Sequence, residues 1–422
     1  ANNTTASSNT ALGYTALGNN TTGTRNTAIG AEAGDAITTA DDNTAVGKSA
    51  LSTLTTGDDN AAFGAFALQL ATTSNSNTGL GYYALRQTTT GVANTGVGTY
   101  ALTGNTTASN NTALGRSSLG SNTTGSENTA VGRSALLANT TGASSTAMGY
   151  LALSANTTAG SNTAIGSTAL RVATTATENT AVGASAGSSI TTGGSNTCIG
   201  ERAGTAITTN GQCTFLGSYA GAGVTGGGNT MIGREAGTAG TPLTTGSGNI
   251  VIGNQTNVGA GGLVNSILMG NSTTSTGNAQ FTFGNGTTDS NIALGATSIT
   301  APSDERYKEE ITTSTAGLSF INDLRPVTFK WKKEKDVPST HASYVADSDT
   351  RVMGRGDKVQ HGFIAQEVKT VIDNHSELKD GFGMWMEDAV DGRQRLAPSE
   401  LVPMLVKAIQ ELTARITELE GE

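Results

Sequence analysis

A glycine returns every 17 residues through the first half of this chain, and that spacing limits the fold more than any other feature. Gly13, Gly30, Gly47 and onward to Gly217 follow one another in twelve equal steps. Most close an Asn-Thr-Ala-aliphatic-Gly string, as in Asn26-Thr27-Ala28-Ile29-Gly30. Ser145 and Cys213 stand where the Asn is expected. Three residues after the glycine comes Ala (Ser118 departs), then Leu or Gly, then Thr-Thr. Past Gly217 the spacing loosens through Gly233, Gly253, Gly270, Gly284 and Gly295.

A fixed period of this kind means one structural unit stacked on copies of itself. Helical repeats need roughly 30 residues or more. Seventeen residues with two short β-like runs and two Gly/Thr/Asn corners suit one flattened coil. Coils in parallel register rise about 4.8 Å each, so roughly sixteen to eighteen give a rod of about 80 Å. The expected fold is mainly β, a parallel β-solenoid of the β-roll type.

Composition excludes the competing classes. Charged residues are 14 %, against about 25 % in an ordinary soluble domain. Six prolines, and 57 glycines that do not fall every third residue, rule out collagen. A net charge of −9 and a pI near 5.0 argue against nucleic acid as a partner. No apolar run approaches the ~20 residues of a spanning helix, so no membrane insertion is expected. Two cysteines make no disulfide framework.

Alternation along the strand predicts where side chains go. In Thr27-Ala28-Ile29 neighbours point to opposite faces. Ala suits the inside of a thin coil, which turns the aliphatic residue outward. The row Leu12, Ile29, Val46, Phe63, Leu80, Val97, Leu114, Val131 then forms a continuous apolar stripe. Such a stripe calls for burial against copies of the same chain, and a parallel homotrimer about the rod axis is expected.

Charge marks the boundary. Residues 1–295 hold 8 Lys/Arg and 11 Asp/Glu, while residues 296–422 hold 16 and 22. The expected domains are residues 1–255, the solenoid; 256–301, an irregular β-rich tip or neck; and 302–422, a smaller α+β domain. Leu405, Ile409, Leu412, Ile416 and Leu419, spaced 4, 3, 4, 3, predict a coiled-coil-like terminal helix.

The repeat, over about residues 9–255, resembles the β-roll heads of trimeric autotransporter adhesins and repeats found in phage tail fibres. The end of the chain resembles the peptidase S74 family, the intramolecular chaperone of phage tailspikes and tail fibres. Residues 302–311, Pro-Ser-Asp-Glu-Arg-Tyr-Lys-Glu-Glu-Ile, match the family's opening Ser-Asp-x-Arg-x-Lys-x-Asn-Ile, with Glu310 in place of the Asn. Leu324 to Trp331, Gly362-Phe363-Ile364-Ala365-Gln366-Glu367-Val368 and Leu401-Val402-Pro403 follow in family order. The resemblance implies self-cleavage between Pro302 and Ser303, with Ser303 as nucleophile and Lys308 as its base. It implies no external substrate.

A second candidate site lies in the repeat. The corner two residues past the glycine holds Phe66, Tyr83 and Tyr100 in consecutive coils, with Tyr82 alongside. Stacked coils would align these rings, and aromatic surfaces suit sugars. No metal or other cofactor is expected. The sequence reads as a fibrous attachment protein on a virion or an extracellular surface. Its partners would be itself and a host-surface glycan or protein. The alternative is a bacterial surface adhesin or extracellular filament subunit.

Overall fold

The computed structural model describes residues 4–240, 243–259, 261–275, 277–286, 289–294, 305, 308–339, 343–352, 356–378, 382–387 and 392–421. Two compact units divide the chain, residues 1–303 and 304–422.

The first unit is the parallel β-solenoid that the period predicts. Three-residue strands recur once per coil, from Thr10–Leu12 through Thr95–Val97 to Thr230–Ile232. Each pairs in parallel and in register with the next, as Thr95 with Thr112, Gly96 with Ala113 and Val97 with Leu114. The spacing then loosens but the pairing holds. Thr230 faces Ile250, and the stack continues through Ile250–Ile252, Ile267–Gly270 and Gln280–Gly284. Coil stacking thus passes well beyond residue 255. Ser290–Ala293 closes the stack as an antiparallel strand.

The repeat glycine has a steric cause. Gly98 sits at φ +127°, and a Cβ there would lie 2.8 Å from the carbonyl carbon of Gly115 in the next coil. No side chain fits so close an approach.

The interior is built from three positions per coil; most coils carry a large side chain at only one of the last two, and the coil of Leu51 and Leu54 carries both. The middle residue of the strand is buried, as at Ala28, Ala113 and Ala164. Four residues past the glycine a second row points inward: Leu51, Leu68, Leu85, Leu102, Leu119, Leu136, Leu153 and Leu170 are fully buried. This row sits in the left-handed region, with φ +51° at Leu102 and +49° at Leu119. That conformation costs about 1–2 kcal/mol per residue, whereas burying a Leu side chain gives about 1.5–3 kcal/mol, so burial wins. The third row lies seven past the glycine. Where the second row is Gly34, Gly187 or Gly204, the third holds buried Ile37, Ile190 or Ile207. Larger mid-strand residues also draw a glycine opposite. A Cβ on Gly221 would lie 2.6 Å from the Phe215 ring, and one on Gly237 would meet Met231 Sδ.

Polar ladders close the corners. Asn43 Nδ2 donates to Gly57 O at 2.9 Å, and its backbone N–H donates to Asn26 Oδ1 at 3.0 Å. The pattern repeats up the stack, satisfying backbone groups that a buried turn would leave unpaired. Threonines do the same on another edge, as where Thr106 Oγ1 donates to Thr123 O at 3.0 Å. Cys198 and Cys213 are free and buried, and burial pushes the Cys198 thiol up to about 12.

The second unit is α+β. Helix α1 (Leu318–Asp323), helix α2 (Ala365–Asn374) and helix α3 (Val402–Glu420) accompany two antiparallel strand pairs. One joins Val327–Phe329 to Gln360–Gly362, the other Trp385–Glu387 to Gln394–Leu396. Phe320, Val368, Ile372, Met384, Leu401 and Met404 form its core. Glu411 of α3 accepts the Leu318 N–H at 2.8 Å, capping α1 where its own sequence offers no cap.

Candidate functional site

The aliphatic row faces outward as alternation predicts. Leu12 is 67 % exposed, Leu80 47 % and Leu114 48 %, while Val46, Val97 and Val131 are half-buried. In-register pairing makes these one stripe the length of the stack. Contiguous apolar surface on this scale marks an interaction face.

The terminal helix repeats the theme. Leu401, Met404 and Ala408 face the core of the second unit. The predicted seam does not: Leu405, Ile409, Leu412, Ile416 and Leu419 are all exposed. Helix α3 therefore presents one apolar edge inward and a second outward.

The aromatic corner is a real stack. Phe66 and Tyr83 lie 5.1 Å apart with planes 23° from parallel, and Tyr83 and Tyr100 lie 5.6 Å apart at 25°. Tyr82 stands edge-on to Phe66 and Tyr100. Its phenol is pushed up to about 12, first by a hydrogen bond with Tyr83. The inner ring faces cover one another, so what the stack offers solvent is mainly rims and hydroxyls. Two cations lie against it: Lys48 Nζ is 5.8 Å from the centre of Phe66, and the Arg86 guanidinium 4.8 Å from that of Tyr83. Sequence reading missed both. The available signal was their place in the repeat, one coil before Phe66 and three residues after Tyr83.

The self-cleavage residues are only partly visible. Pro302 and Ser303 lie outside the described residues. Lys308 is exposed, and its backbone N–H donates to Glu305 O at 3.0 Å. Among the described residues, no group of three or more His, Cys, Asp or Glu could hold a metal ion. No described helix is long and apolar enough to cross a membrane.

The chain thus combines a parallel β-solenoid carrying an exposed apolar stripe with a small α+β unit whose terminal helix exposes a second apolar edge. The comparisons narrow the second part. Residues 303–377 match the peptidase S74 family, described as chaperone of endosialidase. Three of the four motifs noted in the sequence fall largely or wholly in that span. A search of curated proteins returns no match.

Proposed function

We propose that this chain is a subunit of a trimeric attachment fibre, a section of a phage tail fibre or tailspike. The single observation that carries the reading is the outward aliphatic row, which one chain leaves uncovered along the whole stack. Three parallel copies about one axis bury all three rows at once. In this reading the stacked coils form the shaft, residues 256–301 are its less regular end, and 302–422 the chaperone. Three chains with 17-residue repeats can pair in many shifted registers, each nearly as good as the right one. A C-terminal unit that first gathers three chains through the α3 seams fixes the register before the coils zip. Self-cleavage at Ser303 would then release the chaperone. A lysine becomes a base when burial disfavours its ammonium form. Since Lys308 is exposed in the single chain, assembly supplies the cover, which ties cleavage to completed trimers.

Sedimentation of the full chain at micromolar concentration is the test, with a three-chain mass expected. A stable monomer would reject the reading. Synthesis without residues 303–422 should give insoluble material, and normal trimers from that chain would remove the chaperone role. On a denaturing gel the wild type should give fragments of roughly 300 and 120 residues if the cut falls at Ser303. Ser303→Ala and Lys308→Ala should each stay full length.

A further inference from the structure

Charges in the middle of the solenoid sort by corner. Between Gly47 and Gly187 the cations are Lys48, Arg86, Arg116, Arg133 and Arg171. Lys48, Arg116 and Arg133 directly follow a repeat glycine, and Arg86 and Arg171 come five residues after one. Lys48 lies over the Phe66 ring and Arg86 over the Tyr83 ring stacked on it, which puts both positions on one edge. The acids of the same stretch are Asp58, Asp59, Glu127 and Glu178. All of them sit five or six residues before the glycine, at the other end of the strand. Among the described residues of the solenoid, the ion pairs are Arg25 with Asp41 and Asp42, and Arg234 with Glu235. The five cations of the middle coils take no part in them, and Lys48, Arg116, Arg133 and Arg171 are exposed. Seven coil steps separate the first from the last, about 34 Å of edge.

The aromatic stack lies inside this span, and Arg133 rests 5.6 Å from the ring centre of Tyr150 on the same edge. A ring's rim is the positive end of its quadrupole, so a stack seen rim-on adds to the cations. The edge thus offers fixed positive charge, positive rims and phenol hydroxyls, with few free ring faces. That combination suits a ligand rich in oxygen and negative charge. It does not suit nucleic-acid bases, which need open faces to stack on.

We propose that this edge, from Lys48 to Arg171, binds a linear anionic polysaccharide, its carboxylate or sulfate groups meeting the arginines and its hydroxyls meeting the tyrosines. The proposal deepens the attachment reading by naming a receptor class, and either can fail alone, because sedimentation reads the trimer without any ligand.

The experiment measures binding of the full chain to immobilised polygalacturonate, dextran sulfate, neutral dextran and a 30-nucleotide oligo(dT). Polygalacturonate or dextran sulfate should bind, more weakly as salt rises, and the better of the two identifies the acidic group. Neutral dextran should not bind. Arg116→Glu with Arg133→Glu should weaken binding about tenfold or more, since two attractions become repulsions. Asp58→Asn with Asp59→Asn should not weaken it. Equal binding of neutral dextran, tighter binding of oligo(dT), or no binding of either acidic polymer would overturn the proposal. So would an Arg116→Glu/Arg133→Glu chain that loses its oligomeric mass, which would make the edge an interface between copies.

Discussion

Gly34 and Ile37 occupy, in one coil, the interior that Leu102 and Asn105 occupy in another. Exchanging the pair tests whether the two positions share a single volume. Gly34→Leu alone puts a Cβ 2.9 Å from Ile37 Cδ1 and 3.3 Å from Leu17 Cδ2. Overpacking of this kind costs about 1–3 kcal/mol. The left-handed φ of +55° at Gly34 adds about 1–2 kcal/mol for any side chain. Ile37→Asn alone deletes a fully buried side chain, at about 2–5 kcal/mol. Independent sites would sum to about 4–10 kcal/mol. In the double variant the introduced leucine instead fills the space that the isoleucine leaves. The introduced asparagine can donate to Asn20 Oδ1, which is buried without a partner, as Asn122 donates to Asn105 at 3.1 Å. The orphan acceptor then passes to the new asparagine, because Leu54 follows in the next coil, so that bond gives no net gain. What remains is the backbone term, about 1–2 kcal/mol, and the coupling energy is about 3–8 kcal/mol. Native-state hydrogen exchange reads this locally. The Leu17 amide and that of residue 34, bonded to Ala33 O and Ala50 O, should exchange faster in each single variant and recover in the double. Additive losses would refute the shared volume.

Val97→Asp puts a charge into the stripe and should reduce a trimer to smaller species, at several kcal/mol for an unpaired buried charge; an unchanged sedimentation profile would contradict this. Tyr83→Ser with Tyr100→Ser removes both stacked contacts, worth about 0.5–1.5 kcal/mol each. The solenoid's melting temperature should fall, and no change would deny the stack a structural part. His375 is held above its ordinary value, first by a hydrogen bond to Asp323 and then by Glu377, with desolvation opposing. A raised folded-state value stabilises the protein fully below the unfolded value of about 6.5 and is lost as pH rises through the folded one. Both tryptophans, Trp331 and Trp385, lie in the second unit. Their fluorescence should therefore report greater resistance to urea at pH 6 than at pH 8, a difference that His375→Gln abolishes.

The period, the parallel register and the outward aliphatic row were legible because each is a repeated local rule. Ala28 and Ile29 declare their faces by alternation alone, and a coil too thin for two large layers decides which face is inside. The Leu102 row was not legible. Its residues sit at positive φ, where Leu has no preference, so only the stacked coil reveals that burial outweighs the strain. The Gly34–Ile37 exchange was hidden for a related reason, since two residues three apart in a turn carry no hydrophobic period. In the second unit the family motifs were readable as strings, and the terminal heptads predicted the α3 seam. That Glu411 would cap α1 could not be read, because the partners stand 93 residues apart. At the aromatic corner the alignment of Phe66, Tyr83 and Tyr100 followed from the period. The orientation of the rings did not, and it is orientation that turns a flat sugar platform into a column of rims.

The asparagine and threonine ladders connect each coil mainly to its immediate neighbours, and no described strand pairing skips a coil. Removing one whole 17-residue unit would therefore join two surfaces that already fit, restoring the rows of Asn, Thr and aliphatic side chains. Solenoid length is then free to change in whole rungs of about 4.8 Å. Any smaller deletion has to be absorbed at a corner, as happens where Gly217 and Gly233 stand 16 residues apart with their strands still paired. The length of the solenoid would shift by a fixed quantum each time.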